Sequence, residues 1–341
     1  MAARSLQPYR LPWRQPPTTA SGVPADRAGW LVRLRDGEHE GVGDAAPWES
    51  WGTESADACE AALLRWEATG EEPGIATPIA RSAVATAATA LAAHRAGLPL
   101  AHFLAAQPLS RTLHCTSHLL GDSGHPAASM LQARRACYKA IKFKCSPASM
   151  WALADALNAA PRGDGPLALR LDFNRSCDPG RDGASLQQLL DRLQPELVEE
   201  PFDATGRAEL LALANRLPGR IAFDESMTEL LLEQLLPLAP IATFVLKPAV
   251  LGGVAQTYEL ARRLQAAGGQ VLVTNFIESA VGRLAARHLS AAVECAAGGL
   301  SGGHATGHLL VADLFDLPDT PRWEVPRSPG LGLPASLWEQ A

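Results

Sequence analysis

Lysine is nearly missing from this chain. Of its 30 basic residues only Lys139, Lys142, Lys144 and Lys247 are lysine, and the other 26 are arginine. A sequence that uses arginine for generic positive charge leaves each lysine to be explained by what arginine cannot supply, a removable proton. Other scarcities exclude whole classes of function. There is no basic run and the formal net charge is −6, so the electrostatic footprint of a nucleic-acid partner is lacking. No apolar run reaches membrane-spanning length, residues 1–14 carry no signal-type apolar segment, and the Ala-rich stretch Ser82 to Ala93 is broken by Thr and Ser. The six cysteines, Cys59, Cys115, Cys137, Cys145, Cys177 and Cys295, form no CxxC pair, which predicts reduced thiols and a cytoplasmic protein. Aromatics are only 6%, yet 341 residues at 47% hydrophobic suffice for a large core.

What is present is a repeat. Short apolar runs end on charged or polar residues at positions 144, 172, 199, 224, 247 and 275, separated by 28, 27, 25, 23 and 28 residues. Segments of helical length lie between them: Ala148 to Ala159, Ala184 to Leu193, Arg207 to Leu217, Met227 to Leu236, Val254 to Ala267 and Ala280 to Ala292. One strand plus one helix in roughly 30 residues is the unit of a closed parallel α/β barrel, in which groups at the C-terminal ends of strands do the chemistry. An open doubly wound sheet is the alternative, but its glycine-rich phosphate loop is missing.

The first 110 residues follow another pattern. Trp30 to Arg35 alternates as a strand, Asp36-Gly37 signals a hairpin turn, and His39 to Asp44 returns as its partner. Helices are predicted over Ser55 to Ala68, capped by Thr53 or Ser55, and over Pro78 to Ala96, ending at Gly97. The expected organisation is an α+β domain over 1–110, a barrel over 111–304, and a proline-rich tail over 305–341 that returns to the first domain.

Lys142 and Lys144 are two apart on a predicted strand, so both leave one face about 6 to 7 Å apart. Two ammonium groups at that distance depress each other's proton affinity and can make one a base near neutrality. A solvated edge strand is the plainer reading. Asp172, Glu199 and Asp224 end three successive strands, which brings three carboxylates to one rim. Each alone reads as a helix cap, but together they are three hard oxygen donors suited to Mg²⁺. Lys247 follows on the next strand. Lysines and a metal arranged this way can remove a proton α to a carboxylate and neutralise the charge that forms.

These residues lie in motifs that resemble the enolase superfamily: Ile141-Lys142-Phe143-Lys144, Leu169-Arg170-Leu171-Asp172-Phe173-Asn174, Val198-Glu199-Glu200-Pro201-Phe202, Phe223-Asp224-Glu225-Ser226, Val245-Leu246-Lys247-Pro248 with Gly252-Gly253, and Asn275-Phe276-Ile277-Glu278-Ser279. The chain looks like the muconate-lactonizing-enzyme-like branch, and within it is most similar to the o-succinylbenzoate synthases. A weaker match over Tyr9 to Pro12 and Leu34 to Pro47 extends the likeness to most of the chain. The resemblance implies a (β/α)7β TIM-like barrel with an α+β capping domain formed by the N-terminal region and the C-terminal tail. It implies Lys144 as general base and then acid, Lys142 lowering its pKa, and Lys247 stabilising the enolate from the opposite face. It also implies Mg²⁺, with Mn²⁺ as a substitute, on Asp172, Glu199 and Asp224. Arg170, Asn174, Glu225, Asn275, Ser279 and Ser301 would form the substrate and supporting layer. The reaction implied is dehydration of 2-succinyl-6-hydroxy-2,4-cyclohexadiene-1-carboxylate to 2-succinylbenzoate in menaquinone biosynthesis, on a small-molecule carboxylate and with no nucleic-acid or membrane partner.

The match departs at Gly299-Leu300-Ser301-Gly302-Gly303, where many synthases have a different motif, and the glycine- and proline-containing loop Thr18 to Ala28 has no family motif. That loop suits a lid or an ordinary surface connection. Three other readings stay open: an N-acyl amino acid racemase or dipeptide epimerase exchanging the α-proton between Lys144 and Lys247, a metal-free aldolase using Lys247 as a Schiff base, and a barrel that only binds a carboxylate.

Overall fold

Three antiparallel strands open the chain: β1 (Ala3–Leu11), β2 (Arg27–Asp36) and β3 (His39–Ala45). Gly37 makes the hairpin between β2 and β3 in the left-handed conformation, φ 58°, which a tight turn asks of glycine. Sequence reading overlooked β1 and started β2 three residues late. Consequently Arg27 and Ala28, expected in a loop, are strand, and residues 18–22 and 24 of that loop lie outside the residues the structure describes.

The computed structural model describes residues 2–14, 16, 23, 25–160, 166–297, 302–304 and 313–338. It divides into two units, one made of Met1–Thr116, Leu246–Arg262 and Val273–Ala341, the other of Ser117–Val245 and Arg263–Leu272. Among the described residues no helix is long and apolar enough to cross a membrane, and the described cysteines are free thiols.

In the first unit α1 (Ala56–Thr69) begins behind Ser55, whose hydroxyl accepts the Ala58 N–H at 3.2 Å, and ends at Gly70 with φ 81°. The next helix, α2 (Pro78–Arg95), carries Pro in its first turn, where the missing N–H costs nothing. Its alanines face β3 at close range. A Cβ on Gly43 would lie 2.0 Å from the Ala83 carbonyl oxygen and one on Gly41 2.1 Å from that of Ala87, so alternate glycines let strand and helix backbones approach. Val32, Leu63, Trp66, Ile79 and Ala83 fill the core around this contact. A short helix α3 (Leu100–Leu104) follows.

The second unit is built on β4 (His114–Gly121), α4 (Pro126–Arg135), β5 (Ala140–Lys144), α5 (Met150–Ala159), β6 (Ala168–Asp172), α6 (Pro179–Leu193), β7 (Leu197–Glu199), α7 (Arg207–Arg216), β8 (Ile221–Phe223), α8 (Leu232–Leu235) and β9 (Ala242–Leu246). Each strand from β4 to β9 pairs parallel with the next. After α9 (Gly253–Ala266), β10 (Gln270–Val273) lies beside β9 and ends the sheet. The repeat of the sequence is thus a run of parallel strands in chain order. One expected helix is broken: Met227 to Leu236 forms a 3-10 turn over Glu225–Thr228, the single-turn α8, and another 3-10 segment over Leu236–Ile241. Leu231, in extended conformation at ψ 156°, separates the first two turns, and Pro237 and Pro240, past the expected end, keep the later segment from continuing as α-helix. The chain ends with α10 (Ala280–Ala297), β11 (Gly302–His304) and β12 (Arg322–Glu324), which pairs antiparallel with residues 114–116 of β4.

Candidate active site

Strand geometry assembles the charged row. Alternate residues share a face, so Lys142 and Lys144 project together, and the parallel register sets Lys144 beside Asp172 and Asp172 beside Glu199. Asp224 directly follows β8. All three carboxylates are buried, at 3%, 6% and 4% exposure for Asp172, Glu199 and Asp224. Lys142, itself 8% exposed, places Nζ 3.0 Å from Asp172 Oδ2 and 3.1 Å from both Glu199 oxygens.

That arrangement corrects one expectation. Burial on its own would lower the proton affinity of Lys142, but attraction to Asp172, Glu199 and Asp224 outweighs it and raises the pKa well above the ordinary lysine value. Lys142 therefore holds its proton more tightly than an ordinary lysine, because the carboxylates around it outweigh burial. Among the described residues no three His, Cys, Asp or Glu side chains are grouped at metal-ligating spacing; Asp172 and Glu199 bond the Lys142 ammonium, and Asp224 acts on it through its charge. The donor set nevertheless fits a divalent cation of the Mg²⁺ type: the oxygens are hard, buried and three in number, with no imidazole or thiolate among them.

Lys144 is half-buried and donates from Nζ to Asn174 Oδ1 at 2.8 Å. Asn174 in turn donates its backbone N–H to Asp172 Oδ1 at 3.1 Å and its amide to Glu225 Oε1 at 3.2 Å. One asparagine thus joins the candidate base, a candidate ligand and Glu225, and does so in a left-handed conformation, φ 42°, that Asn tolerates better than most residues. Arg170 lies elsewhere on the strand, donating to Glu196 at 2.8 Å and sitting 3.1 Å from the His118 ring nitrogen.

Other expected residues belong to the first unit. The Lys247 ammonium lies 4.8 Å from the centre of the Trp51 ring, and Trp51 stands edge-to-face on Phe276 with centroids 4.6 Å apart. Asn275 is buried and accepts from the Ile277 N–H at 3.4 Å. Ser279 is fully buried at the start of α10, where its hydroxyl accepts from Val281 N–H at 3.2 Å and donates to Asp44 Oδ2. Asp44 Oδ2 also receives the Ser279 N–H at 2.9 Å, while Oδ1 receives the Tyr9 hydroxyl at 2.6 Å. Ser301 lies outside the described residues.

Sequence reading missed Trp51, Tyr9, Arg27 and Asp44 as parts of a network, and passed over Glu278 within its motif. Arg27 is 1% exposed and donates to the carbonyls of Ala46, Pro47 and Ile277 at 2.6, 2.8 and 2.6 Å. Glu278 accepts the Phe276 N–H at 2.7 Å. Burial, with help from the Asp44 charge, pushes the Glu278 carboxyl up to about 7. The available signal was isolated charges inside otherwise apolar strands and loops, which do not reveal their distant partners.

Residues 126–338 match the family model described as enolase C-terminal domain-like. The chain is 30% identical to o-succinylbenzoate synthase of Thermosynechococcus vestitus over 291 residues, covering 82% of this chain and 86% of that one. It superposes on a dipeptide epimerase from Methylococcus capsulatus, crystallised with Mg and L-Arg-D-Lys, with a TM-score of 0.76 at 24% identity, covering 97% and 99% of the two chains. Muconate lactonizing enzyme from Pseudomonas putida follows with a TM-score of 0.75 at 21% identity, covering 96% and 95%. A family match across more than half the chain, together with the shared fold and a sheet whose strand ends carry lysines and acids, makes the protein a member of the enolase superfamily, whose members are enzymes, in its muconate-lactonizing-enzyme-like branch.

Proposed function

We propose that this chain is a Mg²⁺-dependent cytoplasmic lyase that dehydrates 2-succinyl-6-hydroxy-2,4-cyclohexadiene-1-carboxylate to 2-succinylbenzoate, the o-succinylbenzoate synthase reaction of menaquinone biosynthesis. The observation that carries it is the strand-register row of Lys144, Asp172 and Glu199, with Asn174 holding Lys144 Nζ at 2.8 Å. Lys144 takes the proton α to the substrate carboxylate. It returns that proton to the hydroxyl departing from the adjacent ring carbon, so water is lost and the ring becomes aromatic. Lys142 keeps a fixed positive charge beside the carboxylates, and the Lys247 ammonium compensates the negative charge that develops on the substrate. Asp172, Glu199 and Asp224 would hold Mg²⁺, or Mn²⁺ in its place, which supplies electrophilic stabilisation of the substrate carboxylate when bound. Arg170, Asn174, Glu225, Asn275, Ser279 and Ser301 are the supporting layer of this reading. It also takes residues 111–304 as a closed (β/α)7β barrel, capped by 1–110 and the tail 305–341.

The likeness to a synthase over 82% of the chain favours this substrate. The fold likeness to a dipeptide epimerase favours a second reading, α-proton exchange on dipeptides or N-acyl amino acids. One pair of assays separates them: the rise of aromatic absorbance on the cyclohexadiene substrate, against deuterium incorporation from D₂O into N-succinyl amino acids and dipeptides. Aromatisation without exchange supports the synthase; exchange without aromatisation overturns it.

A further inference from the structure

Behind the row of carboxylates lies a pair of side chains with no part in the proton transfer. Glu200, next to Glu199, is completely buried and left-handed at φ 37°. Its Oε1 accepts the backbone N–H groups of Asp224 at 3.0 Å and Ser226 at 2.8 Å. Its own N–H donates to the Ala222 carbonyl at 3.0 Å, and its carbonyl accepts the Arg175 N–H at 2.7 Å. Arg175, left-handed at φ 60°, donates from Nη2 to Ser226 Oγ at 3.1 Å and from Nη1 to Glu229, and its Nε lies 3.5 Å from Glu200 Oε2. Arg207 holds Glu229 from the other side at 2.7 Å.

These contacts tie together the loops after β6, β7 and β8, each of which begins at one of the three carboxylates. Asp224 stands just past the end of its strand, so its backbone is fixed by Glu200 and not by the ladder of the sheet. Arg175 follows Asn174, so its backbone N–H on the Glu200 carbonyl and its guanidinium on Ser226 and Glu229 anchor the chain directly beside the residue that touches both Lys144 and Asp172. Left-handed backbone at residues that carry side chains persists only where the surroundings hold it, and here the two residues hold each other.

We propose that Arg175 and Glu200 are positioning residues, a clamp joining three loops that sets the Mg²⁺ affinity of the site by fixing Asp224 and Asn174. The inference rests on the Mg²⁺ reading above. It does not depend on which substrate is used. Lysine cannot replace Arg175, since a point charge has no fork with which to reach Ser226, Glu229 and Glu200 together.

The test is a calorimetric Mg²⁺ titration of the whole folded protein without substrate, comparing the parent with Arg175→Lys and Arg175→Met, with far-UV circular dichroism to establish folding. Loss of such supporting contacts typically weakens metal binding by about 10- to 100-fold, so both variants are expected to raise the Mg²⁺ Kd about tenfold or more. Raising the Mg²⁺ concentration should then recover most of kcat. If Arg175→Met does not fold, Glu229→Gln, at a partly exposed position, gives a smaller rise in the same isotherm. Folded variants that bind Mg²⁺ within about twofold of the parent, with only a lowered Tm, overturn the clamp and leave the metal reading standing. A parent that gives no Mg²⁺ isotherm overturns the metal reading, and the clamp with it.

Discussion

The two units of this molecule bury ionisable groups in opposite ways. In the second unit an ammonium sits among carboxylates, so burial is offset by opposite charge and Lys142 holds its proton more tightly. In the first unit Asp44 and Glu278 are surrounded mainly by N–H and O–H donors, with Arg27 the nearby cation, and burial pushes both carboxyls up. The first arrangement fixes charge; the second makes it negotiable. A site that must present constant charge to a metal and substrate needs the former, whereas a network that caps α10 and anchors the 276–279 loop can tolerate the latter.

The contrast breaks most severely at the base. Lys144→Arg keeps the positive charge but cannot release a proton near neutrality. Turnover should fall by about 10²- to 10⁴-fold, the usual worth of a general base, while Mg²⁺ binding measured by calorimetry persists. Retention of more than about a tenth of kcat, roughly 1.4 kcal/mol of barrier or less, removes Lys144 from its role.

Lys142→Met tests the fixed charge itself. Deleting one partner from a buried charge cluster commonly costs about 3–5 kcal/mol, because the remaining charges are left uncompensated. Urea unfolding should therefore show a loss of that order without Mg²⁺ and a smaller loss with it. An equal loss in both conditions would mean that no divalent cation takes over the balancing charge.

How far the chain could be read in advance follows the same division. The strand ends at Asp172, Glu199 and Phe223, and the face shared by Lys142 and Lys144, were legible because period-two alternation and a repeat of about 27 residues are local properties of sequence. Ser55 as a cap and Gly37 as a turn were legible for the same reason. The union of Tyr9, Arg27, Asp44 and Glu278 was not, since these positions span 269 residues (278 − 9) and meet only through tertiary structure. Ser279 illustrates what local pattern leaves out: its place in a family motif is legible, but the engagement of its hydroxyl with Asp44 and the first turn of α10 is not. The raised proton affinity of Lys142 was illegible too, because it depends on three carboxylates converging on one ammonium.

Glu278→Gln sharpens the other half of the comparison. The folded-state pKa is raised from the ordinary 4.5 to about 7, so the stability this carboxyl contributes is fully present below about pH 4.5. It is lost as pH rises through about 7, by at most on the order of 3 kcal/mol. The Gln variant keeps an oxygen to accept the Phe276 N–H and cannot ionise. Its stability, followed by urea unfolding from pH 4.5 to 8, should decline less over that range than the parent's. Parallel curves would show that Glu278 does not titrate there.

The smallest effect concerns the one lysine of the first unit that the proposed chemistry uses. Lys247 lies over Trp51 at 4.8 Å, and a cation over an indole face gains about 0.5–1 kcal/mol where solvent still has access. Trp51→Phe keeps a ring but weakens the attraction, and Trp51→Leu removes it. If the indole keeps Lys247 oriented, kcat should fall by about two- to fivefold in the Leu variant and less in the Phe variant, since 1.36 kcal/mol corresponds to tenfold. Lys247→Met places the two side chains in one double-mutant cycle: once the ammonium is gone, Trp51→Leu should cost no further kcat. An unchanged cost in the Lys247→Met background would assign the Trp51 effect to its packing on Phe276 instead, and would leave the orientation of Lys247 to other contacts.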